Sequence, residues 1–231
     1  MNRTGNHLEQ LIKCYTDWLI QEIQQGRLPY YINIMFHQLP GPSNRDIIEQ
    51  MQSAIYKSFY PTLCKQFARH PHRKSQKYLL PEARLFPDLP VWKRHKDSCS
   101  KTILNQGLHY NGFILVPPKS RLKESFCEHI KRKQHLYVDH ANHNRPLYNH
   151  GGIKRVHVVP IDRDPYNITD YAMKTIKAGK VDYDTTIILP RTMSEMKSNT
   201  LVLDAKSRAL KDIQAETNVS DQMAEIIYSN L

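Results

Sequence analysis

No two of the four cysteines stand at Cys-x-x-Cys spacing. Cys14, Cys64, Cys99 and Cys127 are scattered, so neither a zinc ribbon nor a dithiol redox motif can be built from them, and reduced thiols are expected. No apolar run approaches the ~18 residues of a membrane span, and the polar start MNRTGNH lacks the apolar core of a signal peptide. Secretion and membrane insertion are therefore not expected; a soluble, cytoplasmic protein is. A Gly-x-x-x-x-Gly-Lys-Ser/Thr phosphate loop is also missing, so any strand unwinding has to come from a partner such as a host helicase. There is no internal repeat and no low-complexity tract. The last shortage is of acid: 22 Asp+Glu face 33 Lys+Arg, a formal charge of +11 before any of the 12 histidines protonates.

That surplus wants an anionic partner, and a nucleic acid is the commonest one for a soluble basic protein. It sits on a folded body, because 40% hydrophobic and 9% aromatic content is that of a globular chain rather than a basic tail. At 231 residues the chain has room for one large domain with an appendage.

Leu8, Leu11, Ile12, Tyr15, Trp18, Leu19 and Ile23 recur at helical spacing before Gly26, which predicts an amphipathic helix over 6–25. Ile32, Ile34 and Phe36 alternate as in a strand. Ser43 can cap a second helix carrying Ile47, Ile48, Met51, Ile55 and Phe59, and Pro61 should kink or end it. Residues 70–105 are rich in Pro, Lys and Arg and read as an irregular basic insertion with one strand-like piece around Tyr78 to Phe86. A stronger strand runs from Leu108 to Val116, followed by a helix bearing Leu122, Phe126 and Ile130, a strand from Val156 to Ile161, and a helix capped by Asn167 that ends near Gly179. Thr185 to Leu189 reads as a last strand, and 194–231 as helices. This order predicts an α+β fold: a ferredoxin-like, split βαβ antiparallel sheet with flanking helices and a helical C-terminal extension. The expected division is 1–28 as an N-terminal helix on the main domain, 29–192 as that domain, and 193–231 as the extension.

Two segments concentrate chemistry. In Gly107-Leu108-His109-Tyr110-Asn111-Gly112, period two puts His109 and Asn111 on one face of one strand. An imidazole nitrogen beside an amide oxygen suits Mg²⁺ or Mn²⁺. A carboxylate is needed as well, and Glu82, the only glutamate between Glu49 and Glu124, is the candidate third ligand. Gly112 inside a strand marks a bulge or a close approach. In Asp170-Tyr171-Ala172-Met173-Lys174, Tyr171 and Lys174 are three apart and share a helix face. A phenol attacks a phosphate only when that phosphate is polarised and the developing charge is met by a cation, which Lys174 can supply.

His109-Tyr110-Asn111-Gly112 followed by Asp170-Tyr171-Ala172-Met173-Lys174 resembles the HUH endonucleases, the rolling-circle replication initiators and related transposases in which a His-hydrophobic-His strand precedes a Tyr-x-x-Lys helix. The likeness runs from the Tyr30 to Phe36 strand to about Gly179. It implies a metal-dependent single-stranded DNA endonuclease and strand transferase: Tyr171 attacks a phosphate to form a 5′-phosphotyrosyl link, His109 and Asn111 with Glu82 hold Mg²⁺ or Mn²⁺, and Lys174 positions the phosphate. The order of motifs favours the replication-initiator branch in a bacterial, phage or plasmid setting. Tyr166, beside Pro165 and outside the predicted helix, favours a single nucleophile. Asn111 replaces the family's second histidine, and the first strand lacks the family's threonines. The alternative is therefore an HUH-fold module that binds single-stranded nucleic acid without cleaving it.

Basic clusters lie near the aromatics Tyr78, Trp92 and Tyr137: Arg73 and Lys74; Lys93, Arg94 and Lys96; Lys131 and Arg132; with Lys177 beside the nucleophile. Cations interleaved with aromatics are what a single strand needs for backbone tracking and base stacking. His140-x-x-His143 has no thiolate partner nearby and reads as a solvated loop. Residues 209–228 read as a plain helical pair.

Overall fold

The computed structural model describes residues 3–89, 104–139, 151–162 and 164–190. Lys93, Arg94, Lys96, the His140-x-x-His143 loop and the 193–231 extension lie outside the described residues. The elements in chain order are α1 (Arg3–Gln24), β1 (Leu28–Phe36), α2 (Asn44–Ala54), α3 (Tyr60–Phe67), β2 (Glu82–Asp88), β3 (His109–Val116), α4 (Phe126–Arg132), β4 (Ile153–Pro160), α5 (Pro165–Ala172), α6 (Lys174–Lys177) and β5 (Ile187–Leu189). The five strands form one antiparallel sheet in the order β4-β1-β3-β2-β5.

Alternation decides which side chains meet which helices. Ile32, Ile34, Tyr110, Ile114, Ala83 and Leu85 face α2, α3 and α4 and form the larger core. Phe86, Phe113 and Leu115 face the other way, where α1 supplies Ile12, Tyr15 and Leu19, and α5 and α6 supply Ala172 and Ile176. The sheet is thus clad on both faces, which is why β3 is buried along almost its whole length. Among the described residues no helix is long and apolar enough to cross a membrane.

Three local expectations change. Ser43 does cap α2, accepting from Asp46 N while Asp46 Oδ2 accepts from Ser43 N at 3.1 Å, and of the two alternatives for Pro61 the helical path does not end there but is interrupted just before it. A π-helical turn over Ile55–Phe59 absorbs the register change, and Pro61 enters the first turn of α3, where its missing N–H is harmless. The α5 cap is Asp164, whose Oδ2 accepts from Asn167 N, with Pro165 opening the helix. Tyr166 is consequently inside the first turn of α5, not outside it, and the chain breaks at Met173 between α5 and α6.

Gly112 is explained by the neighbouring strand rather than by a ligand. A Cβ there would lie 2.0 Å from the Arg84 carbonyl oxygen and 2.9 Å from Leu85 Cα, at a φ of +154°. Backbone of a paired strand cannot withdraw without breaking the ladder. Gly112→Ala is expected to destabilise the protein by at least about 3 kcal/mol, seen as a lower urea midpoint. An unchanged midpoint would contradict the packing of β2 on β3.

Candidate active site

The turn before β3 is built to aim His109. Asn105 and Gln106 hold left-handed conformations at φ 50° and 55°, followed by Gly107 at 82°. For non-glycine residues this is costly, and Asn105 is held there by its buried side chain. Its Oδ1 accepts from Leu39 N at 2.8 Å and its Nδ2 donates to His37 O at 2.8 Å. The turn delivers the Gly107 carbonyl to His109 Nδ1 at 2.8 Å. A carbonyl only accepts, so Nδ1 carries the proton, and Nε2 is left to face the cluster.

What it faces is Asp88. The β2–β3 register sets Asp88 opposite His109, and His109 Nε2 lies 3.4 Å from Asp88 Oδ2. With the Nδ1 proton committed, a neutral imidazole would point a lone pair at a carboxylate, so a positive charge belongs between them, as a proton or as a metal ion. The same Oδ2 accepts from Asn111 Nδ2 at 2.8 Å and from Lys174 Nζ at 2.8 Å, while Oδ1 accepts from Thr175 Oγ1 at 2.7 Å. Asp88 is 3% exposed. Burial alone would raise its pKa, but the bonds from His109, Lys174 and Thr175 hold it below the usual carboxylate range. Burial would likewise lower that of Lys174, yet Asp88 and then Tyr171 hold it above the usual ammonium value.

Lys174 connects the two sequence segments. Its Nζ lies 4.2 Å from the centre of the Tyr171 ring, a cation–π distance. Tyr171 is 54% exposed and also leans on Tyr31 of β1, ring centres 6.3 Å apart. His109, Asn111 and Lys174 therefore meet around one carboxylate, with Tyr171 against the lysine.

That carboxylate is not Glu82. Glu82 sits at the opposite end of β2, paired with Leu115 of β3, and its Oε1 accepts from Arg27 Nη2 at 3.0 Å. It lies six positions along the strand from Asp88, about 20 Å. Assigning Glu82 as a third ligand is corrected accordingly: period two puts Glu82 and Asp88 on the same face, and only the antiparallel register selects between them.

The donor set suits a hard cation. Asn111 Nδ2 is tied to Asp88, so its amide oxygen points away from that bond, and Asn111 Oδ1 is buried with no hydrogen-bond partner. Asn33 Oδ1, directly across on β1, is in the same state. Two of the three orphaned side-chain oxygens among the described residues thus lie on facing positions beside His109. A buried acceptor without a partner costs about 1–3 kcal/mol, and a divalent ion that favours oxygen would satisfy both. Asn33, Asp88 and Thr175 were not picked out from the sequence. No group of three or more His, Cys, Asp or Glu able to hold a metal occurs among the described residues; this site has two such residues, and the amides would complete it.

The proposed nucleic-acid contacts divide. Arg73 and Lys74 are exposed but lie at the far end of β2. Lys131 is exposed on α4; Arg132 is held by Glu124 at 2.6 and 3.0 Å. Lys177 pairs with Asp170. No family model, no curated protein and no solved structure matches this chain.

Replacing Asp88 by Asn leaves Lys174 without its carboxylate. Breaking a buried pair costs 3–5 kcal/mol, and because Lys174 is 28% exposed a smaller loss of about 2 kcal/mol is expected at pH 7. Since the Asp88 pKa is lowered by folding, its contribution is present above the unfolded carboxylate pKa and is lost as pH falls through the folded one. Thermal melts from pH 7 to pH 2.5 should therefore show wild type and Asp88→Asn converging in acid. A constant gap would mean Asp88 is not the ionised hub.

Proposed function

We propose that this protein is a metal-dependent endonuclease and strand transferase for single-stranded DNA, with Tyr171 as the nucleophile. The observation that carries the reading is the convergence of His109, Asn111 and Lys174 on Asp88, with the Lys174 ammonium against the Tyr171 ring. The strand order β4-β1-β3-β2, with α2 and α3 joining β1 to β2 and α4 joining β3 to β4, supports a split βαβ sheet of the ferredoxin-like kind, with β5, α1, α5 and α6 added. It is the arrangement expected of the HUH endonucleases that the two motifs resemble.

His109, Asp88 and Asn111, with Asn33 beside them, are the residues that would hold Mg²⁺ or Mn²⁺; the Asn111 amide, which donates Nδ2 to Asp88, would have to turn over for its oxygen to share an ion with that carboxylate. The ion would supply charge neutralisation at the non-bridging oxygens of the scissile phosphate. Tyr171 is exposed, so a strand can reach its hydroxyl. Its oxygen forms the new bond to phosphorus as the bond to the 3′ oxygen breaks; the phenolic proton goes to solvent and the departing 3′ oxygen takes one up. Lys174, kept protonated by Asp88, fixes the ring and lies where charge develops on the phenol oxygen and the phosphate. Tyr166 lies a turn and a half earlier on α5 and makes none of these contacts, which favours a single nucleophile.

One observation favours a binding module instead. Asp88 already has Asn111, Lys174 and Thr175 as donors, so its carboxylate is satisfied without a metal. The two readings part on the following measurement. Full-length protein incubated with Mn²⁺ and a panel of labelled single-stranded and hairpin oligonucleotides should give an SDS-resistant adduct that Tyr171→Phe abolishes. In calorimetry His109→Ala should weaken Mn²⁺ binding at least tenfold. No adduct with any substrate, together with no specific Mn²⁺ binding, would leave the binding module as the function.

A further inference from the structure

We propose that the end of the sheet remote from Tyr171 carries a second nucleic-acid surface, which grips the backbone of a single strand and stacks one of its bases on Tyr78. The charge distribution points there first. Residues 50–81 contain no aspartate or glutamate, and neither do 117–123. These stretches are far apart in sequence, but the fold brings them to one place: the 3-10 turn Lys74–Leu79 leads into the start of β2, and 117–123 leaves the end of β3, where Glu82 pairs with Leu115. Arg69, Arg73, Lys74, Lys77, Lys119 and Arg121 are all exposed, and none forms an ion pair with a carboxylate among the described residues. Burial, and then the charges of Arg73, Arg69, His72 and Arg121, hold the His70 pKa below its ordinary value, in keeping with the closeness of the two segments.

A solvated face would be expected to mix signs and to be free of exposed rings. Here the carboxylate at the start of β2, Glu82, is held by Arg27, the exposed cations have no acidic partner among the described residues, and a ring is exposed among them. Tyr78 is 67% exposed, more than any other large hydrophobic side chain among the described residues, and it follows directly on Lys77. The display is also ordered. His70 N donates to Gln76 Oε1 at 2.9 Å, Arg73 N to His70 O at 3.0 Å and Leu80 N to Lys77 O at 3.0 Å, so the cations stand on a hydrogen-bonded turn. Cations of one sign gathered on rigid backbone repel one another, and a phosphodiester chain relieves that repulsion with release of its counterions. The exposed ring decides which nucleic acid: only an unpaired base offers a π-face to stack. The surface lies about 20 Å from Asp88 along β2, so it is separate from the catalytic site and independent of whether that site cuts.

The test is fluorescence anisotropy with the full chain, a labelled 30-nucleotide single strand and EDTA present, over a range of NaCl concentrations. The triple variant Arg69→Ala, Arg73→Ala, Arg121→Ala should have a plot of log affinity against log salt shallower by about 2, from ~0.7 per phosphate contact on a single strand. Tyr78→Ala should bind roughly tenfold more weakly at unchanged slope. All four side chains are exposed, so the variants should melt like wild type. An unchanged slope in the triple variant would reduce the cluster to a solvated face. Tighter binding to a duplex of equal length, indifferent to Tyr78→Ala, would overturn the single-strand assignment. Loss of binding to phosphatidylserine vesicles in the triple variant, with oligonucleotide binding intact, would replace it with a lipid surface.

Discussion

A carboxylate buried at the end of β2 has to be matched by donors and charge, and Asp88 is matched from three directions at once. Asn111 reaches it along β3, Thr175 and Lys174 from α6, and His109 from across the strand pair. An ionised group so buried would otherwise revert to the neutral acid or disrupt the packing. The geometry of the site follows from that requirement. The Asn111 amide is turned so that its oxygen faces away, Lys174 is kept charged, and the short α6 is anchored to the sheet. Tyr171, one break of the chain earlier, is placed by the lysine that Asp88 holds.

The second constraint is that the cladding of this sheet face is incomplete. α1, α5 and α6 cover Phe86, Phe113 and Leu115, but the row of residues at the His109 end continues outward over β1 and β4 as Met35, Arg155 and His157, all exposed. Val159, also exposed, lies on the same face beside Tyr31, on which Tyr171 leans. The site therefore opens sideways onto a sheet surface that is partly apolar and partly basic. On the proposed function, this open surface is where a strand would lie to bring its phosphate to His109 and Tyr171.

Much of this was legible in the sequence, for physical reasons. Long helical periodicity and the alternation in β1 and β3 survive in the structure because a sheet clad on both faces needs apolar residues at those positions. His109 and Asn111 share a face because strand geometry leaves no alternative. The choice between Glu82 and Asp88 was not legible. Both lie on the same face of β2, and which meets His109 depends on a pairing register fixed by contacts distant in sequence. Asn33 was hidden for the same reason, since its place opposite Asn111 depends on pairing with another strand. The three-residue spacing of Tyr171 and Lys174 does bring the ammonium over the ring, across the irregular residue Met173.

Charge, which began as a single surplus, is divided by the fold into two unlike regions. On α5 and α6 Lys174 is paired with Asp88 and Lys177 with Asp170, so these helices are organised for position rather than attraction. The cluster of Arg69, Arg73, Lys74, Lys77, Lys119 and Arg121 lies about 20 Å away, beyond the ~8 Å screening length at physiological salt. They cannot shape the potential felt by a phosphate at Tyr171. On the two proposals together their influence on the site would be through the polymer itself: a strand held at the far end would be presented to Tyr171 at the effective concentration its length allows, so that holding and reacting would be separable.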